Sequence, residues 1–212
     1  MNLFASIVHF FQAGGVFMFP IATILVLGLV IALERWVFLA RSARENRATW
    51  SRMQPLMAQG DYAGARKLAE EADTAIGRVF AYGFAHTSSA ASRADIEMAM
   101  EERLMETTSV LEKRTHYLAT FANVATLLGL LGTITGLIRA FAAIASLNLA
   151  EKTDVLSASI AEALNCTAFG LLTAVPMLLI HAWLTTRTGE LVDSLEMATV
   201  KFLNSLGGLK AR

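Results

Sequence analysis

Cysteine is nearly absent from this chain of 212 residues, and the single one, Cys166, excludes an intrachain disulfide and any multi-cysteine metal site. Charged residues are scarce, at 17%, and they cancel to zero, so the basic excess that nucleic acid would require is missing. No His-x-x-x-His pair, Cys-x-x-Cys pair, phosphate-cradling glycine loop or Gly-x-Ser-x-Gly elbow occurs, which leaves catalysis without a sequence signature. Cys166 and His181 are the available nucleophile and base at membrane depth, and at 1.5 Å per residue they lie about 22 Å apart along one helix. The expectation is therefore no enzyme, no metal and no cofactor. Residues 1–15 contain no Lys or Arg, so the charged n-region of a cleavable signal peptide is missing and a short external segment is expected.

What the chain has in abundance is apolar surface. Hydrophobic residues make up 55% of it and the mean hydropathy is +0.50, which places it in the membrane class. The first long apolar run, Val16 to Leu33, has the length needed to cross roughly 30 Å of hydrocarbon. Pro20 is tolerated in its first turn. Glu34, Arg35 and Trp36 mark its boundary, and Arg41, Arg44, Arg47 and Arg52 follow, which puts this end on the cytoplasmic side. Segment 40–117 has the composition of soluble helices. Gly60-Asp61 predicts a helix stop and an N-cap, with helices over DYAGARKLAEEA and from Thr74 to His86. After the loop HTSSAAS, Ser92 and Asp95 form a capping box, and Ile96, Met100, Leu104 and Leu111 mark one helix face. No stop signal follows, so one continuous helix is expected from Arg93 to Ala145, on the order of 80 Å long.

The second span, 118–145, contains NVATLLGLLGTITGLIRA. As a helix it carries Thr126, Gly129, Thr133, Gly136 and Ala140 on one stripe. Small residues admit a neighbouring helix closely, and hydroxyls meet polar partners where water is absent. A loop is expected over 146–159, whose Glu151, Lys152 and Asp154 nearly cancel. The third span, 160–185, has Glu162 at its outer edge, then Asn165, Thr167 and Thr173, with Thr167, Gly170, Ala174 and Met177 on one face. A carboxylate in a span faces a bundle interior or a hydrated path, and one just beyond the hydrocarbon is simply solvated; Glu162 sits where both readings stand. For each threonine, spacing alone favours a back-bond to its own i−4 carbonyl. Pro176 frees the Leu172 carbonyl and marks a kink, a hinge or a carbonyl turned to a hydrated path. Arg139 either snorkels to headgroups or pairs with a nearby carboxylate. His181 and Trp183 read as interfacial anchors. Leu184, Leu191, Leu195, Ala198 and Phe202 continue a helix face through 186–212 until Gly207-Gly208, with Lys201, Lys210 and Arg212 on the basic side. The fold expected is all-α, with three membrane helices, the second and third extended into the cytoplasm.

Gly129-Leu130-Leu131-Gly132-Thr133 with Gly136, and Ile160-Ala161-Glu162-Ala163-Leu164 with Thr167, Gly170 and Pro176, resemble the signature of the ExbB/TolQ/MotA proton-channel family. The three-span layout is similar to its ExbB/TolQ branch. The resemblance implies a bacterial inner-membrane motor, N-terminus periplasmic and C-terminus cytoplasmic, with a ring of five copies around a pair of ExbD/TolR-like single-span helices. It implies that a partner aspartate carries the proton, that Thr133 and Thr167 line the path, and that Glu162 sits at its periplasmic mouth. A TonB/TolA-like protein is implied as a further partner. Thr126 stands where many relatives have proline. With Asn165 and Thr173 it keeps sodium open beside the favoured proton. A non-conducting scaffold, in which Gly129, Gly132, Gly136 and Gly170 only pack helices, is the rival reading.

Overall fold

The computed structural model describes residues 10–11, 13–87, 92–146 and 149–207. Their helices are α1 (Met18–Ala58), α2 (Tyr62–Glu71), α3 (Ala75–Thr87), α4 (Arg93–Glu112), α5 (His116–Ser146) and α6 (Leu149–Gly207), and no strand occurs among the described residues. Residues 1–9 and Gln12 of the expected N-terminal segment, 88–91 of the expected loop, and Gly208, Lys210 and Arg212 lie outside them. Among the described residues three stretches are long and apolar enough to cross a membrane: Met18–Ala58, Arg93–Ala145 and Lys152–Ser205.

Two boundaries differ from expectation. The helix expected to run unbroken from Arg93 to Ala145 is interrupted at Lys113-Arg114-Thr115, where Arg114 adopts φ 67°. A left-handed residue ends an α-helix, and glycine is its usual bearer. Here the end of α4 is stabilised from elsewhere: the guanidinium of Arg35, itself buried, donates to the carbonyls of Val110 and Leu111 in the last turn. Those carbonyls have no partner within the helix, and a cation at a helix C-terminus is favourable. The second difference is α6, which begins at Leu149, inside the loop expected over 146–159. That stretch contains neither Gly nor Pro, and its Leu, Ala, Glu and Lys are good helix formers.

The chain divides into two compact units, and α1 and α6 contribute to both. The first comprises the described residues of 1–33 with 114–183. Its core is made of small and slender side chains: Ile21, Ala125 and Cys166 form one buried cluster, and Ala122, Ala174 and Met177 another. Gly28 of α1 leaves room for the Met177 thioether, where any β-carbon would collide. Val30, Leu127, Ile138, Leu164 and Leu179 point outward. Large aliphatics outside and small residues inside is the arrangement that suits lipid as solvent.

The second unit comprises 34–113 with the described residues of 184–212, and its core is aromatic. Phe202 stacks on Phe80 at a centroid distance of 5.0 Å and meets Phe84 edge-on at 4.7 Å. Met53, Met100, Leu104, Leu111, Leu184, Leu191, Leu195 and Ala198 are buried in the same unit. The faces read from the sequence on α4 and α6 are thus the buried ones. Gly60, at φ 78°, ends α1, and Asp61 accepts from the Gly64 N–H to start α2. Asn46 of α1 accepts from the buried Ile76 N–H at 2.9 Å, satisfying a first-turn donor of α3. At α4 the capping box is complete: the Asp95 N–H donates to Ser92 Oγ and the Ser92 N–H donates to Asp95.

Phe202→Ala should destabilise the second unit by about 3–5 kcal/mol, since it empties a buried site packed against the rings of Phe80 and Phe84. A lower midpoint in thermal unfolding of the detergent-solubilised protein, followed by Trp50 fluorescence, checks this; an unchanged midpoint would remove Phe202 from the core. The Asp95 carboxyl lies below its ordinary range because the side chain of Ser92, and then its backbone N–H, hydrogen-bond to it. The cap therefore contributes fully above the ordinary carboxylate range and is lost as pH falls through the lowered value. Amide exchange in the first turn of α4 should rise along that acid limb in the parent chain and show no such limb in Asp95→Asn.

Candidate functional site

The candidate site is built where α5 meets α6. A β-carbon at Gly170 would stand 2.8 Å from the Ala125 carbonyl oxygen and 3.1 Å from Gly129 Cα; one at Gly129 would stand 3.2 Å from Thr167 Cα. The two backbones touch: glycine is required at Gly170, and a β-carbon at Gly129 would oblige the facing backbone to give by a few tenths of an ångström. Gly136 likewise meets Ala163 and the Ser159 carbonyl, and Gly132 admits the Cys166 sulfur. The buried stripe of α5 therefore reads Ala122, Ala125, Gly129, Gly132, Gly136 and Ala140. Gly129, Gly136 and Ala140 belong to the stripe read from the sequence, whereas Thr126 and Thr133 flank it.

The hydroxyls separate by environment. Thr167, half-buried, does not back-bond: its Oγ1 donates across to the Gly129 carbonyl of α5 at 2.8 Å. A helical carbonyl has a second lone pair, and the missing side chain of Gly129 exposes it. Thr133, also half-buried, donates to the Leu130 carbonyl at 2.6 Å. Thr126 is exposed and donates to the Ala122 carbonyl at 3.1 Å. Thr126, Leu130, Thr133 and Leu137 fall on one line at 3.6 residues per turn, beside the packed stripe. Leu130 and Leu137 are 53% and 41% exposed, so this line is largely open among the described residues. The threonines on it have committed their protons and retain acceptor lone pairs.

A second group forms at the other side of α6. Glu162 lies roughly 140° around the helix from Thr167, so depth, and not a common face, relates the two. Its Oε1 pairs with Arg139 Nη1 of α5 at 3.0 Å, which resolves the alternatives for Arg139 in favour of a carboxylate partner. Asn165, half-buried, donates to the Ala13 carbonyl at 3.5 Å. Gly15, at φ 75°, lies against the Glu162 carboxylate. Thr173 joins neither group: it is buried in the first unit, three residues before Pro176, and its Oγ1 has no hydrogen-bond partner. Pro176 is exposed within an α6 that is helical on both sides of it. Gly15 and Ala13 were missed by sequence reasoning; the Gly14-Gly15 doublet before the first span was the available signal.

Comparison with known proteins places the same elements in a known family. Residues 71–197, from the end of α2 through most of α6, match the model of the MotA/TolQ/ExbB proton channel family. The chain is 34% identical over 193 residues to a Synechocystis protein named biopolymer transport protein ExbB-like 1, covering 86% of this chain and 72% of that one. It is 25% identical over 209 residues to a protein of Methanothermobacter thermautotrophicus named as an ExbB homolog, covering 93% and 69%. A shorter match, 37% over 81 residues, links it to the Tol-Pal system protein TolQ of Haemophilus influenzae, covering 38% of this chain and 35% of that one.

Gly170→Ala should force α5 and α6 apart and cost about 1–3 kcal/mol, because the obstacle is backbone rather than a movable side chain. Thr167→Val, which only removes the bond to Gly129, should cost about 0.5–1.5 kcal/mol, with Thr167→Ser close to the parent. Equilibrium unfolding in mixed micelles ranks the three; a Gly170→Ala variant as stable as the parent would contradict the contact.

Proposed function

The chain belongs to the MotA/TolQ/ExbB proton channel family, and we propose that it is the ring-forming subunit of an ion-driven motor in the bacterial inner membrane. Membrane transport energised through such a channel is what the family does. In this reading five copies surround a pair of ExbD/TolR-like single-span helices, and a partner aspartate takes and releases the proton. Its N-terminus is periplasmic, the basic end of the first span is cytoplasmic, and the second unit, with the ends of α1 and α6, holds the ring together there. The work delivered serves envelope transport or maintenance, with a TonB/TolA-like protein as the further partner.

The observation that carries this is the open line Thr126, Leu130, Thr133 and Leu137 beside the glycine contact. The small-residue stripe is used up in packing α6, so these hydroxyls are not needed to hold the chain together. Thr133, and Thr167 at the edge of the same contact, offer oxygens without fixed charge, and a protonated carboxylic acid on a passing helix supplies the donor they lack. Glu162 is the charge at the outer mouth. One elementary charge moved through 100 mV releases about 2.3 kcal/mol, so a few ions per step exceed thermal energy severalfold. Thr173 is buried away from the open line and adds no oxygen to it, which favours proton over sodium.

The test is ion flux into liposomes holding this chain alone, the chain with its candidate single-span partner, and that complex with Thr133→Val or Thr167→Val. Flux should require the partner and fall at least about tenfold in each variant, the loss produced by a barrier rise of about 1.4 kcal/mol. No flux from an assembled complex would favour a non-conducting scaffold, flux unchanged by both substitutions would take the path away from these threonines, and a sodium preference would reassign the ion.

A further inference from the structure

The ion pair at the outer end of α5 and α6 holds a charge that the channel reading leaves unexplained. Arg139 and Glu162 pair at 3.0 Å with side chains 54% and 28% exposed, so both keep contact with the surroundings. A pair this exposed contributes little to stability. Its consequence is electrostatic: while the contact lasts, the outer mouth presents no net charge to an approaching cation. Glu162 is also confined from a third side. Residue 15 presses on the carboxylate, and Asn165, one turn deeper on α6, donates to the Ala13 carbonyl of the same N-terminal segment. A β-carbon at Gly15 would fall on the Glu162 carboxylate, the free end of a flexible side chain, and would displace it from its present seat, besides straining the backbone at φ 75°. The carboxylate thus has a seat with Arg139 on one side and the bare backbone of Gly15 on another.

We propose that Arg139 is a positioning residue that acts through Glu162: together with Gly15 it clamps the Glu162 carboxylate and neutralises the outer mouth, and cations are admitted when the clamp opens. The proposal rests on the reading of Glu162 as the mouth charge. It assigns a direction that a merely structural ion pair would not have. Freeing the carboxylate should raise cation entry, because an uncompensated negative charge at a narrow mouth concentrates cations locally. Removing the carboxylate should lower it.

The experiment is proton and sodium flux in liposomes containing the complex of this chain with its single-span partner, read with pH-sensitive and sodium-sensitive dyes. Arg139→Gln should raise flux roughly tenfold. Gly15→Ala should raise it in the same direction, while Gly14→Ala, whose β-carbon meets the Met18 thioether instead, should leave it unchanged. Arg139→Lys should restore the parent level. Glu162→Gln should lower flux, and Arg139→Gln combined with it should match Glu162→Gln alone, since Arg139 then has nothing to act on. If Arg139→Gln lowers flux, or raises it equally in the Glu162→Gln background, the clamp is overturned while the ion path stands. If Glu162→Gln leaves flux at the parent level, the mouth role of Glu162 fails, independently of the threonine variants. Should Arg139→Gln fail to assemble, Gly15→Ala against Gly14→Ala decides the question.

Discussion

The backbone contact between Gly129 and Gly170 is the constraint on which the membrane unit depends. Between helices in lipid no hydrophobic force favours association, so close approach and a few hydrogen bonds must supply it. Two glycines bring α5 and α6 together until a β-carbon at either would strike the other's backbone. Several features follow from that approach. The Gly129 carbonyl comes within reach of Thr167, which gives up its own helix as a partner. Gly132 and Gly136 receive Cys166 and Ala163. The line through Thr126 and Thr133 is turned out of the packed surface, leaving an oxygen-bearing face largely uncovered by the described residues.

The second unit obeys different physics on the same helices. Along α1 and α6 the side chains change from aliphatics that face outward to Trp50, Met53 and Phe202, which are drawn into a shared core. Burial of that kind is favourable where the alternative is water. Within this unit Arg35 is the unusual element. A buried guanidinium needs partners, and it finds them in the last carbonyls of α4 and the ring of Phe38, 4.5 Å away. The same contact ends α4, so one residue of α1 sets a boundary some 75 positions along the chain.

That distance explains what sequence reasoning could and could not reach. The three spans, the Gly60-Asp61 stop, the Ser92 and Asp95 capping box and the buried faces of α4 and α6 are local patterns, and each was legible. The break at Lys113-Arg114-Thr115 was not, because its cause lies on another helix and no glycine or proline announces it. The α6 start was misread because Glu151, Lys152 and Asp154 suit a polar loop as well as the first turns of a helix. In the candidate site, Gly129, Gly136 and Ala140 were placed on the packed stripe correctly, while Thr126 and Thr133 were grouped with them and Ala125 was overlooked. Glycine, alanine and threonine recur so densely there that two stripes one residue apart satisfy the same i, i+3, i+4 rule. Only the observed contact chooses between them. The choice for Arg139 was likewise undetermined, since nothing local pairs it with a carboxylate on the next span.

The separation of the packed stripe from the open line bears on how a moving partner can be accommodated. A surface that grips through donors would hold a passing helix, because a buried donor left without its acceptor is costly. Thr126 and Thr133 avoid this by donating to carbonyls of their own helix, and Thr167 by donating to Gly129. What they present outward is acceptor capacity alone, on a background of Leu130 and Leu137. A neutral acid can bond to such a surface, and a carboxylate cannot, since both sides would then be acceptors. In the proposed motor, protonation of the partner would therefore change whether it binds the face, while the fold of this chain would stay satisfied in both states. A difference in affinity between two states is what lets an ion bias movement in one direction. In the proposed motor that purpose needs hydroxyls already bonded elsewhere: the glycine contact supplies the acceptor for Thr167, and the helix's own carbonyls supply those for Thr126 and Thr133.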